Sequence, residues 1–276
     1  MTEHALRRAR VNGVDLAYLD EGEGAPVLLI HGFPDDHSVW SHQIPALVAA
    51  GYRVIAPDTR GCGQSEAPLA TADYRLSQLV EDMRALLDHL GLDRVRLVGH
   101  DWGSIIGWRL AETHPQRIEA YAALSVGHPS AYARGGLMQK LKGYYVLLFQ
   151  LRGVAEGLVR ARDWAAVRAM VGSPEDAQAI IANLSRPGRL TAGISYYRAN
   201  LDLIAARAGA RLPMPVMGVF SDGDRFLTER QMVLSADYVA GPFRYERLVG
   251  VGHWLQRDAP EAVNALLLDF LSQETA

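Results

Sequence analysis

The sequence predicts an α/β protein with a mostly parallel sheet, helices on both faces and an inserted helical cap. Apolar runs such as PVLLI (26–30) alternate with amphipathic segments such as 76–90, a pattern typical of buried parallel strands and covering helices. From about residue 128 to 211 the chain is rich in helix formers, has no convincing buried strand and is punctuated by Gly and Pro. We therefore expect an α/β core in 1–127 and 212–276, and a helical cap, called here the cap segment, in 128–211.

The other elements follow the same alternation along the chain. Asn12-Gly13, between two short alternating runs, predicts a hairpin over 10–20 at the edge of the sheet. The further strands expected are 52–58, the run before Gly99, 118–126, 215–224 and 245–254, and the further helices expected are 40–50, a helix after Asp101 and 259–271.

The segment VRLVGHDWGSIIGW (95–108) turns sharply from an apolar run into a helix-like run at Asp101. Gly99 and Gly103 stand two residues before and two after Asp101, which indicates a nucleophile elbow with Asp in place of the usual Ser. An aspartate is already an anion at neutral pH, so it can attack without a base. Attack on an acyl group gives an unstable anhydride, whereas attack on a saturated carbon gives an ordinary ester. The pattern therefore predicts a substrate with an electrophilic saturated carbon; the alternative is that Asp101 only caps the following helix.

Two late segments supply candidate partners for this aspartate. Asp224 lies just past an apolar run, in the SDGDRFL loop, and His253 lies just past the next run, in GVGHW. Nucleophile, acid and histidine then occur in the chain order of the triad that accompanies such an elbow. We predict that His253 is the general base and that Asp224 orients it. Asp222 is the rival acid, and it is otherwise expected to form the turn.

The loop HGFPD follows the first central strand. Ligands collect outside the carboxyl ends of parallel strands, so the backbone N–H of Phe33 is expected to point at a reacting oxygen as half of an oxyanion hole. A plain turn with Gly32 and Pro34 would explain the same residues. His31 and His100 border this region and are expected to be structural.

Five motifs, HGFPD, DTRGCGQSEAP, GHDWG, SDGDRFL and GVGHW, resemble those of epoxide hydrolases of the α/β-hydrolase fold, in matching order over almost the whole chain. The resemblance implies that fold and two cap tyrosines that hold the epoxide oxygen. The stretch YVLLFQLRGVAE from Tyr145 resembles the segment with the first tyrosine, and YYRAN around Tyr197 resembles the segment with the second. Tyr144 and Tyr196 are adjacent and are the alternatives.

The chemistry of ring opening agrees with this implication. A breaking epoxide releases an alkoxide that needs a proton donor, and tyrosine stays protonated at neutral pH. We expect a hydroxyalkyl ester on Asp101, hydrolysed to a vicinal diol by water that His253 activates. The backbone N–H groups of Phe33 and Trp102 are expected to stabilise the tetrahedral oxyanion. The expected substrate-binding side chains are Phe33, Trp102, Leu148 and Phe149.

Two other functions remain open at this point. Haloalkane dehalogenases resemble this chain in having an Asp nucleophile followed by Trp. They typically place Asn after the HG pair or a second halide-binding Trp nearby, whereas Phe33 stands after HG here. A non-catalytic receptor for a small ligand could share the fold, although the set of Asp101, Asp224 and His253 argues against it.

Composition excludes several classes of partner. The 276 residues carry a formal net charge of −3, so no basic surface for nucleic acid is expected. Cys62 is the only cysteine, and no stretch approaches 18 uninterrupted apolar residues, so we expect a cytoplasmic protein without a membrane partner. Nucleotide-loop and H-E-x-x-H motifs are absent, so neither a cofactor nor a metal is expected. The expected partners are a small apolar epoxide and water, and a homodimer is left open.

Overall fold

The computed structural model describes residues 5–205 and 209–273. Its strands are β1 (Arg7–Val11), β2 (Val14–Glu21), β3 (Ala25–Ile30), β4 (Tyr52–Pro57), β5 (Val95–His100), β6 (Ile118–Leu124), β7 (Val216–Ser221) and β8 (Phe243–Leu248). They form one sheet in the order β1-β2-β4-β3-β5-β6-β7-β8. β1 and β2 pair antiparallel, and β3 to β8 run parallel, which confirms the predicted fold class.

The α-helices of the core alternate with these strands. They are α1 (Gln43–Ala49), α2 (Leu76–His89), α3 (Trp102–Thr113), α10 (Glu229–Val233), α11 (Leu255–Asp258) and α12 (Pro260–Leu271). Single 3-10 turns cover His37–Trp40, Thr71–Tyr74, Pro115–Arg117 and Leu234–Tyr238. α2 packs against α3, and α1 packs against α12.

The chain reverses its direction of travel across the sheet between β3 and β5. From β3 it moves to one side into β4, whereas from β5 it moves to the other side into β6. Right-handed crossovers then place α1 and α3 on opposite faces. The two strands are hydrogen-bonded neighbours, so a crevice forms outside their carboxyl ends, where open parallel sheets bind ligands.

The predicted hairpin is present at the edge of the sheet. Asn12 and Gly13 adopt φ values of +44° and +75°, the left-handed pair that a tight two-residue hairpin requires. Several predicted boundaries were wrong, among them the end of β7, which is Ser221 rather than 224. β8 ends at Leu248 rather than 254, because Gly250 at φ +73° turns the chain into a loop. The helix expected from Trp40 begins at Gln43.

The part of the cap segment that the structure describes is built from helices. They are α4 (Pro129–Ala133), α5 (Leu137–Lys142), α6 (Tyr144–Leu148), α7 (Val154–Met170), α8 (Pro174–Ser185), α9 (Arg189–Ala199) and a 3-10 segment at Leu201–Ala205. Gly153 and Gly188, with φ of +77° and +78°, precede two of these helices and set their starting directions. Among the residues described, none of the helices has the length and apolar character that crossing a membrane requires.

Candidate active site

Asp101 stands at the turn between β5 and α3, in a backbone conformation that few side chains adopt. Its φ and ψ are +53° and −120°. Its carbonyl oxygen accepts the N–H groups of Ser104 and Ile105, so the helix starts directly after it. The side chain is 13% exposed. A strained turn that displays one carboxylate at a switch point is the arrangement of a nucleophile elbow.

Three glycines make this turn sterically feasible. A Cβ on Gly99 would lie 2.5 Å from the carbonyl oxygen of Gly103. A Cβ on Gly103 would collide with the carbonyl oxygen of Ile30 at the end of β3, and a Cβ on Gly32 would collide with the side chain of Asp101. Glycine is therefore required here by close approach of the backbone and of the reactive carboxylate.

The loops after β7 and β8 bring Asp224 and His253 together. Nδ1 of His253 lies 2.7 Å from Oδ2 of Asp224, and both side chains are buried. Oδ1 of Asp224 accepts the N–H groups of Phe226 at 2.7 Å and Leu227 at 3.0 Å. Burial opposes ionisation of Asp224, but the charge of His253 and these hydrogen bonds hold its pKa below the usual value. Asp224 is thus fixed as an anion that orients the imidazole.

The other ring nitrogen of His253 faces the elbow. Nε2 lies 3.6 Å from Oδ2 of Asp101, beyond ordinary hydrogen-bond distance. Burial opposes the charged imidazole, yet the carboxylates of Asp224 and Asp101 together raise the pKa of His253 to about 10. The histidine is therefore protonated at neutral pH.

The Phe33 N–H donates to Oδ1 of Asp101 at 2.9 Å, at the place predicted for one oxyanion donor. Trp102 is the first residue of α3, so its N–H has no acceptor within the helix, and its part in an oxyanion hole stays a prediction. The two oxygens of Asp101 are thus distinguished, because Oδ1 is held by a backbone donor and Oδ2 faces His253.

Asp222, the rival acid, lies away from His253. Its side chain accepts the N–H of Gly250 at 2.7 Å and pairs with Arg247 at 3.3 Å on the surface. Asp222 therefore has the turn-forming role that was expected if it is not the catalytic acid.

Tyr145 and Tyr197 line a cavity together with Asp101 and His253. Their ring centroids are 5.8 Å apart, and the ring of Tyr197 meets that of Trp102 edge-on at 5.2 Å. Burial, followed by the charge of Asp101, raises the pKa of both phenols well above the usual value. Both hydroxyls therefore stay protonated and able to donate.

The neighbouring tyrosines are placed differently. The hydroxyl of Tyr196 is buried and donates to the carbonyl oxygen of Arg60 at 2.6 Å, so it anchors α9 to the loop after β4. Tyr144 lines the same cavity as Tyr145 but is 68% exposed. Geometry thus favours Tyr145 and Tyr197 over both neighbours as donors towards the elbow.

Two cavities meet at the elbow. The larger has a volume of about 480 Å³, and its wall includes the predicted substrate-binding side chains Phe33, Leu148 and Phe149. The smaller has a volume of about 70 Å³, and Trp102 lines this one. The predicted binding residues are therefore divided between two spaces.

Several side chains at the site were missed by the sequence reasoning. Phe226 lines both cavities and packs edge-on against His253 at 5.1 Å; its place two residues after Asp224 was the available signal. Trp254 packs against His253 at 5.0 Å and donates its indole N–H to buried Asp35 at 2.8 Å. The local sequence gives no sign of either contact of Trp254.

The two remaining histidines beside the elbow form hydrogen bonds with backbone groups. Nε2 of His31 accepts the N–H of Thr59 at 2.9 Å. Nε2 of His100 lies 2.9 Å from the carbonyl oxygen of His253. Burial, assisted by the charge of His253, lowers the pKa of His100 to about 3, so its ring is neutral and donates this hydrogen bond.

One group of side chains has the composition of a metal site. Ligand atoms of Asp36, His37 and Asp58 lie within 4.8 Å of one another. The carboxylate of Asp58 already accepts the N–H of His37 at 2.9 Å and that of Gln64 at 2.6 Å, and it pairs with the His37 ring at 2.7 Å. Both carboxylate oxygens of Asp58 therefore already have hydrogen-bond partners, in the loops that follow β3 and β4.

Known proteins resemble this chain over nearly its full length. A family model described as alpha/beta hydrolase fold matches residues 25–260. Epoxide hydrolase A of Mycobacterium tuberculosis is 33% identical over 96% of this chain and 97% of its own. Epoxide hydrolase 3 of Xenopus tropicalis is 31% identical over 99% of this chain and 78% of its own. The crystal structure of epoxide hydrolase A from Mycobacterium thermoresistibile superposes with a TM-score of 0.88, at 32% identity over 99% of both chains.

Proposed function

The chain belongs to the epoxide hydrolases of the α/β-hydrolase fold, and on that premise we propose that it forms vicinal diols through a covalent ester on Asp101. The core supplies the nucleophile, the base and its orienting acid. The cap segment, 128–211, supplies Tyr145 and Tyr197. The substrate is a small apolar epoxide, since the walls of the cavities are mainly apolar and aromatic.

In the first step, Oδ2 of Asp101 attacks one ring carbon from the side opposite the breaking C–O bond. Oδ1 is held by the Phe33 N–H, so it becomes the carbonyl oxygen of the ester. Tyr145 and Tyr197 donate hydrogen bonds to the epoxide oxygen, and one of them passes its proton to the emerging alkoxide. The product of this step is a hydroxyalkyl ester on the enzyme.

Formation of the ester prepares His253 for the second step. Asp101 loses its charge on alkylation, so one of the two carboxylates that raise the pKa of His253 is removed. The imidazolium then passes its proton to the phenolate left by ring opening and becomes a base for water. The water attacks the ester carbonyl, and the backbone N–H groups of Phe33 and Trp102 receive the tetrahedral oxyanion. His253 keeps the proton taken from the water and is an imidazolium again. Cleavage of the C–O bond between the acyl carbon and the diol oxygen regenerates the carboxylate, and the proton of the added hydroxyl goes to the departing alkoxide, which leaves as the diol.

The observation that carries this proposal is the position of His253 between two carboxylates. Its Nδ1 is fixed by Asp224 at 2.7 Å, while its Nε2 faces Asp101 at 3.6 Å without a close bond. A receptor pocket gains nothing from a buried acid, histidine and strained aspartate aimed at one cavity. An enzyme that makes and hydrolyses an ester needs all three.

A substrate panel tests the proposal. Styrene-type epoxides, aliphatic epoxides and haloalkanes are offered to the wild type and to Asp101→Asn, and diol and halide are both measured. We expect diol from the wild type and none from the variant. Halide release without diol would instead identify a dehalogenase, and stoichiometric binding without turnover would identify a receptor.

A further inference from the structure

The two cavities share the reacting groups as a common wall. Asp101, Tyr145, Tyr197, Phe226 and His253 line both of them. An epoxide placed between the aspartate and the two phenols therefore directs the substituents of its two ring carbons towards different spaces. The volumes of those spaces are about 70 and 480 Å³.

The small cavity is lined by residues of the core and of the cap segment, and part of its wall is closely packed. It is bounded by Ile105 of α3, by Val126 and Leu227 of the core, and by Tyr132 and Leu203. Val126 and Leu227 are almost fully buried in a separate apolar cluster, and Ile105 and Tyr132 pack directly against it. Enlarging the space on this side would break close-packed contacts, which proteins resist.

The large cavity is bounded mainly by the cap segment and has a partly exposed margin. Leu148 and Phe149 of the α6 region, Leu158 and Val167 of α7, and Leu184 of α8 contribute apolar wall. Leu158 is 49% exposed, so this side of the cavity reaches the surface of the protein. A long apolar substituent can lie here and extend outward.

From this difference we infer that the enzyme selects unequally substituted epoxides, with Ile105, Tyr132 and Leu203 limiting the smaller substituent. The inference rests on the proposed function and narrows its substrate class. A cavity of about 150 Å³ admits benzene, so half of that volume accepts about three carbon atoms at most. One ring carbon therefore carries hydrogen or a short alkyl group, and the other carries the long apolar arm.

A series of epoxides with one constant hexyl group tests this inference. The second ring carbon carries hydrogen, methyl, butyl or hexyl, and kcat/KM for diol formation is measured for each. We expect similar values for hydrogen and methyl, then a fall of at least about tenfold at butyl, because a poorly accommodated methylene costs about 10- to 200-fold. Similar kcat/KM across the whole series would overturn the inference while leaving the proposed function intact. Absence of diol even from the terminal epoxide would overturn both.

Two matched variants test which residues limit the size of the smaller substituent. Ile105→Ala enlarges only the small cavity, and we expect it to raise relative kcat/KM for the butyl epoxide by about tenfold or more. Leu184→Ala removes a similar volume from the wall of the large cavity. In this variant kcat/KM should still fall between the methyl and the butyl epoxide, as in the wild type. A shift of the limit with Leu184→Ala but not with Ile105→Ala would contradict the assignment. The wild-type series decides the main inference even if either variant folds poorly.

Discussion

Nε2 of His253 stands 3.6 Å from Oδ2 of Asp101, close enough for strong electrostatic interaction and too far for an ordinary hydrogen bond. In the proposed mechanism the aspartate is therefore free to attack, while its charge keeps the histidine protonated until the attack has occurred. The charge of this one carboxylate would then couple the two proposed half-reactions.

Removing the base should trap the intermediate. In His253→Gln the first step proceeds but water is not activated, so the ester accumulates in one equivalent per enzyme. Intact-mass measurement after mixing with a terminal epoxide should show an increase equal to the mass of the substrate, located on the peptide with Asp101. Steady turnover should fall at least about 100-fold. Asp101→Asn is the control and should show no adduct; an unmodified His253→Gln enzyme would contradict the two-step route.

Removing either cap hydroxyl should slow ring opening. Tyr145→Phe and Tyr197→Phe keep the rings that pack against each other at 5.8 Å, so the loss reflects the hydrogen-bond donor. We expect kcat/KM to fall about 100- to 10,000-fold in each, measured with the same terminal epoxide. Tyr144→Phe, at a side chain 68% exposed, should change it less than about threefold. A large loss of kcat/KM in Tyr144→Phe with none in Tyr145→Phe would show that Tyr144, not Tyr145, is the hydrogen-bond donor.

The charge of Asp101 should be visible in the titration of His253. The pKa of this histidine is raised to about 10, so NMR of the imidazole should show it protonated at neutral pH. Because this value exceeds the unfolded value of about 6.5, the histidine stabilises the fold fully below pH 6.5, and the contribution is lost as pH rises towards 10. Asp101→Asn should lower the pKa and reduce the alkaline loss of stability. An unchanged titration would show that Asp101 does not govern the protonation of His253.

The elbow should not tolerate a side chain at Gly103. Gly103→Ala places a methyl group against the carbonyl oxygen of Ile30, so we expect the free energy of unfolding in urea to fall by about 1–3 kcal/mol. Gly157→Ala in α7 is the matched control, since an added Cβ there meets nothing within 4 Å and should be neutral or stabilising by about 0.5–1 kcal/mol. Equal stability of the two variants would contradict the steric account.

The parts of the site that the sequence predicted are those that depend on local residue spacing or on the order of residues along the chain. The glycines around Asp101 indicate a tight turn because only a missing side chain fits there, and the order of Asp224 and His253 follows from the topology of the sheet. The alternation of apolar runs and amphipathic segments was sufficient for the parallel sheet. The end of β8 was predicted wrongly, because apolar residues continue after Leu248 although Gly250 turns the backbone.

The remaining features depend on distant segments meeting. Tyr145 and Tyr197 were implied by resemblance, since a tyrosine on a helix has no local sign of which way it faces. The contact of Trp254 with Asp35 joins residues that are 219 positions apart. The division into two cavities arises where α3, the core loops and the cap segment meet, and no single stretch of sequence encodes it.

Isotope transfer in a single turnover tests the central claim most directly. Enzyme in excess is mixed with a terminal epoxide in ¹⁸O-labelled water, and the diol and the peptide that contains Asp101 are analysed by mass spectrometry. Water attacks the ester carbonyl, so the account predicts one ¹⁸O in the Asp101 carboxylate and an unlabelled diol. Label in the diol with none on the peptide would mean that water opens the epoxide directly, without an ester on Asp101.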